Sequence, residues 1–128
     1  MSLSERIDTI ESGYEFMLAY AAQGRETDRD ASGSGAGFEL REFLQKMATA
    51  LDGLGAEIMS AAEEQEAEFG PSKIFLETVD DDAQKALALI RLVMAKPDVS
   101  SLLIDNVNAS IHLRALLTDL FIIDEAFK

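Results

Sequence analysis

The sequence predicts an all-α chain arranged as an antiparallel four-helix bundle. Three observations lead to this. Apolar residues recur at alternating spacings of four and three in four segments, and no period-2 stretch competes with them. The links between segments are short enough to join antiparallel neighbours. Hydrophobic residues make up 48% of the 128 residues, which is enough for a core without staples. With 0 cysteines, a disulfide or a thiolate zinc site is excluded. Residues 1–128 read as one domain.

The first helix is drawn by Leu3, Ile7, Ile10, Tyr14, Met17 and Ala21, with Ser4 as its expected cap and Gly24 as its stop. A flexible loop is expected over about 25–37, because Gly33-Ser34-Gly35-Ala36-Gly37 has the composition of a mobile connection. The second helix follows Leu40, Leu44, Met47, Leu51, Leu54, Ile58 and Ala61. Gly53 and Gly55 fall inside it, at about 1 kcal/mol each relative to Ala, and mark a bend or a close helix contact. Glu63, Glu64, Glu66 and Glu68 close it with charge that the helix dipole disfavours.

Pro71 and Ser72 open a segment, 71–79, that reads as a short extra helix or as the first part of helix three. The third stripe is Val79, Ala83, Ala86, Ile90 and Val93. Asp80 to Asp82 are placed as dipole partners at its start, and Lys96-Pro97 ends it.

The fourth helix, capped by Asp98 or Ser100, is too apolar for a peripheral position. Ala109, Leu113, Leu116, Leu120, Ile123 and Phe127 form one stripe; Ile104, Ile111, Ala115 and Ile122 form a second. A peripheral helix needs only one. The surplus stripe is covered either by the 71–79 segment or by a second copy of the chain, and a two-fold homodimer is the simplest expectation.

Charge narrows the partners. The 24 acidic and 11 basic residues leave a net charge of −13, so a basic face for nucleic acid is not expected. Anionic membranes are repelled, and no apolar run reaches the roughly 18–20 residues of a membrane span. The N-terminus shows no basic region leading into an apolar stretch. With the lack of cysteine, this places the chain in the cytoplasm as an expectation.

Two constellations carry candidate chemistry. Asp28, Asp30, Ser32, Gly33, Ser34 and Glu39 stand at positions 1, 3, 5, 6, 7 and 12 of a twelve-residue window. The window resembles the calcium loop of an EF-hand, with side-chain oxygens at alternate positions, a glycine at the turn and a bidentate Glu at the end. That resemblance implies a calcium site using Asp28, Asp30, Ser32, Ser34 and Glu39. Position 8 departs from the pattern, being Gly35 in place of a large apolar residue, and there is no second loop to pair with. The other reading of the window is a solvated link. The second constellation is Asp105, Asn108, His112 and Asp119, which fall on one side of a continuous fourth helix, between its two apolar stripes. It reads as a ligand or metal patch, or as a polar seam that fixes register.

Catalysis has little to stand on. The chain has 0 cysteines and 1 histidine, and no Gly-x-Ser-x-Gly motif. A ferritin-like di-iron site needs Glu three residues before a histidine, where this chain has Ala109. The functional expectation is a non-catalytic interaction protein. A calcium module and a small-ligand bundle are the alternatives.

Overall fold

A computed structural model describes residues 1–29, 35–64 and 69–126, the side chains of residues 69–72 excepted. Six helices and no strand occur among the described residues. They are α1 (Leu3–Ala21), α2 (Ala36–Leu51), α3 (Leu54–Glu64), α4 (Phe69–Met94), α5 (Ser101–Ala109) and α6 (Ile111–Ala126). The chain is all-α, as the periodicity requires.

Helix α1 is capped by Ser2, not Ser4: the Ser2 hydroxyl accepts the Glu5 amide at 3.1 Å. Its inward line is Ile10, Gly13, Met17 and Tyr20, turned from the expected stripe so that Tyr14 is half-buried. Tyr20 can be fully buried because its hydroxyl donates to the Val99 carbonyl at 2.7 Å. Phe16 of α1 stacks on Phe43 of α2, with ring centroids 4.5 Å apart.

The expected second helix is two helices on one line of burial. Gly53 has φ +78°, a left-handed conformation that costs an L side chain about 1–2 kcal/mol. Arg6 donates to the Ala50 carbonyl at 3.1 Å and to the Asp52 carbonyl at 2.6 Å, which satisfies groups released by the bend. The apolar face runs unbroken through the bend, and Leu44, Met47, Leu51, Leu54 and Ile58 are all buried. Gly55 lies against the side chain of Asp80 on α4.

The 71–79 segment is the first part of α4, not a separate helix. Pro71 falls in the first turn, where a missing N–H breaks no helical bond. Asp80 to Asp82 are therefore interior to α4 rather than at its start. Leu76, Val79, Ala83, Ala86, Ile90 and Val93 are buried at spacings of three and four.

The expected fourth helix is also split. Ser100 caps α5, accepting the Leu103 amide at 3.0 Å, while Asp98 accepts the Thr27 hydroxyl at 2.7 Å. Ser110 has an extended ψ of 128°; its amide donates to Val107 and its carbonyl accepts from Arg114, ending α5 and opening α6. This break resets the register. A continuous helix burying Ile104 and Asn108 would next turn Ile111 or His112 inward. Instead both are exposed, and Leu113 is the next buried residue.

Helix α1 packs on α2, α3 and α5, while α4 packs on α2, α3 and α6. Buried side chains from all six helices, with Val99 from the α4–α5 link, join in one apolar core. Among the described residues, no helix is long and apolar enough to cross a membrane.

The Gly53 conformation gives a stability prediction. No atom lies within 4 Å of where a Cβ would sit at Gly53, so Gly53→Ala strains only the backbone. It should lower unfolding free energy by about 1–2 kcal/mol in urea melts, with no change in helix content.

Candidate functional site

The twelve-residue loop window is anchored by its first member. One Asp28 carboxylate oxygen accepts the Arg41 Nε–H at 2.7 Å, and the other accepts the Val99 amide at 2.8 Å. The side chain is 6% exposed. Burial pushes its pKa up, but the Arg41 guanidinium and the Val99 amide outweigh that and hold the carboxyl below its usual value. Arg41 also donates to the carbonyls of Met94 at 2.9 Å and Lys96 at 2.8 Å, so one arginine ties α2 to the end of α4. Gly37, at the start of α2, sits so close to the Asp28 backbone that any Cβ would overlap it.

Each Asp28 oxygen thus accepts one hydrogen bond within the protein, and a calcium ion there would share the carboxylate with the Arg41 cation and the Val99 amide. Glu39 stands exposed in the first turn of α2. Asp30, Ser32 and Ser34 lie outside the described residues. Among the described residues, no three His, Cys, Asp or Glu side chains are grouped to hold a metal ion.

The second constellation is divided by the Ser110 break. Asn108 is buried toward α1, its amide donating to the Met17 carbonyl at 3.1 Å. Asp119 is buried toward α4 and faces Asp82. Asp105 and His112 are exposed, and Asp105 lines a surface cavity of about 590 Å³ beside Arg25 and Ser101. The four side chains are not brought together. The interface stripe is divided too. Ile104 is fully buried, contrary to its place on a surplus surface stripe, whereas Ile111 and Ile122 are exposed and Ala115 is half-exposed.

The tertiary structure adds two acidic groupings that the sequence did not single out. Asp119, 7% exposed, meets Asp82 across the α4–α6 contact. Burial first, then the adjacent Asp82 carboxyl, push its pKa up to about 7. The available signal was a charged residue amid Leu116, Leu120 and Ile123. The other grouping lies at a groove of about 350 Å³ between α1 and α6, lined by Glu11, Tyr14, Glu15, Arg114, Leu117 and Phe121. Burial raises the pKa of Glu11, and the charges of Asp8, Asp124 and Glu15 raise it further.

No protein family matches the sequence, and no curated protein or solved structure shows a significant similarity to it.

Two predictions follow from these acids. Arg41→Met leaves the Asp28 carboxylate buried without its cation and should cost about 2–4 kcal/mol in denaturant melts at neutral pH. For Asp119 the raised folded-state pKa means that protons favour the fold. Its contribution falls as pH rises from about 4, where the unfolded Asp ionises, and the loss is complete above about 7. Asp119→Asn should flatten stability across that window and gain about 1–2 kcal/mol at pH 8, read from melts over a pH series.

Proposed function

We propose that this chain is a non-catalytic helical interaction protein of the cytoplasm that pairs with a second copy of itself through the outer face of α6. The observation that carries this reading is the line Ile111, Ala115 and Ile122 on that helix. Ile111 is 73% exposed and Ile122 is 48% exposed. The opposite face of α6 already buries Leu113, Leu116, Leu120 and Ile123, so the intramolecular core does not need the outer line. Large apolar residues aligned on an outer helix face signal a contact surface.

The helix packing supports the same reading. We take the six helices as four columns of an antiparallel bundle: α1, α2 with α3, α4, and α6 with α5. Each column packs on the next, and α5 closes on α1. Among the described residues the buried side chains are apolar except for Ser101, Asn108 and Asp119, which favours recognition through the outer faces. A two-fold axis crossing α6 sets Ile111 of one copy near Ile122 of the other, with Ala115 and Thr118 between them as small residues that let the helices approach. The cytoplasmic placement rests on the lack of cysteine.

Light scattering after size exclusion tests the pairing. The expected mass is twice the 14.0 kDa of the chain, falling to one chain in Ile111→Asp or Ile122→Asp. Added salt should strengthen the dimer, because screening relieves repulsion between two chains of charge −13. A wild-type chain that stays monomeric at high concentration overturns the proposal.

A further inference from the structure

The α1–α6 groove owes its existence to the Ser110 break. Helix α1 packs closely on α5, but α6 leaves the break on a new course and does not pack closely on α1. The gap has an apolar floor of Tyr14, Leu117 and Phe121, and Phe121 is 59% exposed. Its α1 wall carries Glu11 and Glu15, four residues apart, with Asp8 three residues before Glu11 and Leu18 exposed on the same flank. Asp124 on α6 adds a fourth negative charge near Glu11. Arg114 lines the groove but forms no ion pair with these acids among the described residues.

Two carboxylates beside exposed apolar surface, with two more whose charges reach Glu11, are a poor arrangement for an isolated chain. Like charges at such spacings destabilise a helix, and the most enclosed of them, Glu11, is the one whose ionisation is hindered by burial and its neighbours. A cation brought into the groove relieves both, and an apolar side chain beside that cation covers Phe121.

We propose that the α1–α6 groove receives a helix of another protein that carries lysine or arginine at spacings of three and four, flanked by an apolar anchor. A helix is the fitting occupant because the acidic positions on α1 repeat with helical spacing and the groove lies between two helices. The cations meet Glu11, Glu15 and Asp124, and the anchor sits on Tyr14, Leu117 and Phe121. This partner goes beyond the self-pairing reading and uses a different surface, since Phe121 points toward α1 and Ile111 and Ile122 point outward.

The probe is a dye-labelled, end-capped synthetic helix with three lysines at that spacing and leucines beside them, titrated by fluorescence anisotropy at low salt. A matched peptide with glutamate for lysine is the control. Saturable binding of the lysine peptide alone is expected. Glu11→Gln with Glu15→Gln should weaken it about tenfold, and Phe121→Ser by a similar factor. Glu77→Gln with Asp81→Asn, which removes the same charge from the exposed face of α4, should change it less than about twofold. Should a groove variant fail to fold, amide shift changes in the wild-type chain give the answer, and they are expected around Glu11, Tyr14 and Phe121. Ile122→Asp should bind the peptide as wild type does, so failure of self-pairing reads out separately. No binding, equal binding of the glutamate peptide, an equal loss in the α4 control, or shift changes elsewhere overturns the proposal.

Discussion

The Asp28–Arg41 pair is the contact on which one end of the molecule depends. Asp28 holds the amide of Val99 and the guanidinium of Arg41, and Arg41 in turn holds carbonyls at the end of α4. Around this pair the segment after α1 is stitched to the α4–α5 link. Ser101 donates to the Tyr20 carbonyl and accepts the Arg25 amide, and the Ser101 amide donates to the Arg25 carbonyl. These bonds fix where α5 begins and how it lies along α1. Because the Asp28 side chain is almost fully enclosed, removing its cation leaves a buried charge rather than an exposed one, which makes the pair costly to break.

The second constraint is the break at Ser110, and its effects run through both proposed surfaces. With α5 held against α1, its inward face is Ile104, Val107 and Asn108. The extended Ser110 then lets α6 choose its own inward face, led by Leu113, Leu116 and Leu120. Ile111 and Ile122 are left outside on one line, and α6 diverges from α1 to leave the groove. A straight helix would have produced neither arrangement. The bend at Gly53 has no such effect, because Leu51 and Leu54 keep the same line of burial on either side of it.

Charge is distributed in a way that supports surface recognition. Arginines do internal work: Arg6 holds the α2–α3 bend, and Arg41 holds the end of α4. Most of the acidic residues face outward, and Glu11 and Glu15 do so where α1 and α6 diverge. An apolar line on α6 suits a second copy, since it avoids opposing like charges. An acidic groove suits a basic partner for the opposite reason.

Much of the fold was legible. The helical class and the inward lines Leu40-Leu44-Met47-Leu51 and Val79-Ala83-Ala86-Ile90 follow from periodicity, because every turn of an amphipathic helix repeats the same local demand for burial. Gly53 announced its bend through the one property a glycine has that others lack. The candidate site was less legible. Asp28 appeared as the first ligand of a calcium loop, yet its partners are Arg41, thirteen residues away, and Val99, seventy-one residues away. Asp105, Asn108, His112 and Asp119 share a face only if the helix is continuous, and Ser110 breaks it with neither proline nor glycine to signal the fact. The sequence by itself determined which segments are helical and which residues of most helices are apolar on one side, since these depend on neighbours three and four positions away. Only the tertiary structure decided which acid pairs with Arg41, which acid is buried against Asp82, and which isoleucines of the last two helices face out. Those outcomes depend on contacts between segments remote in the chain, which local spacing does not encode.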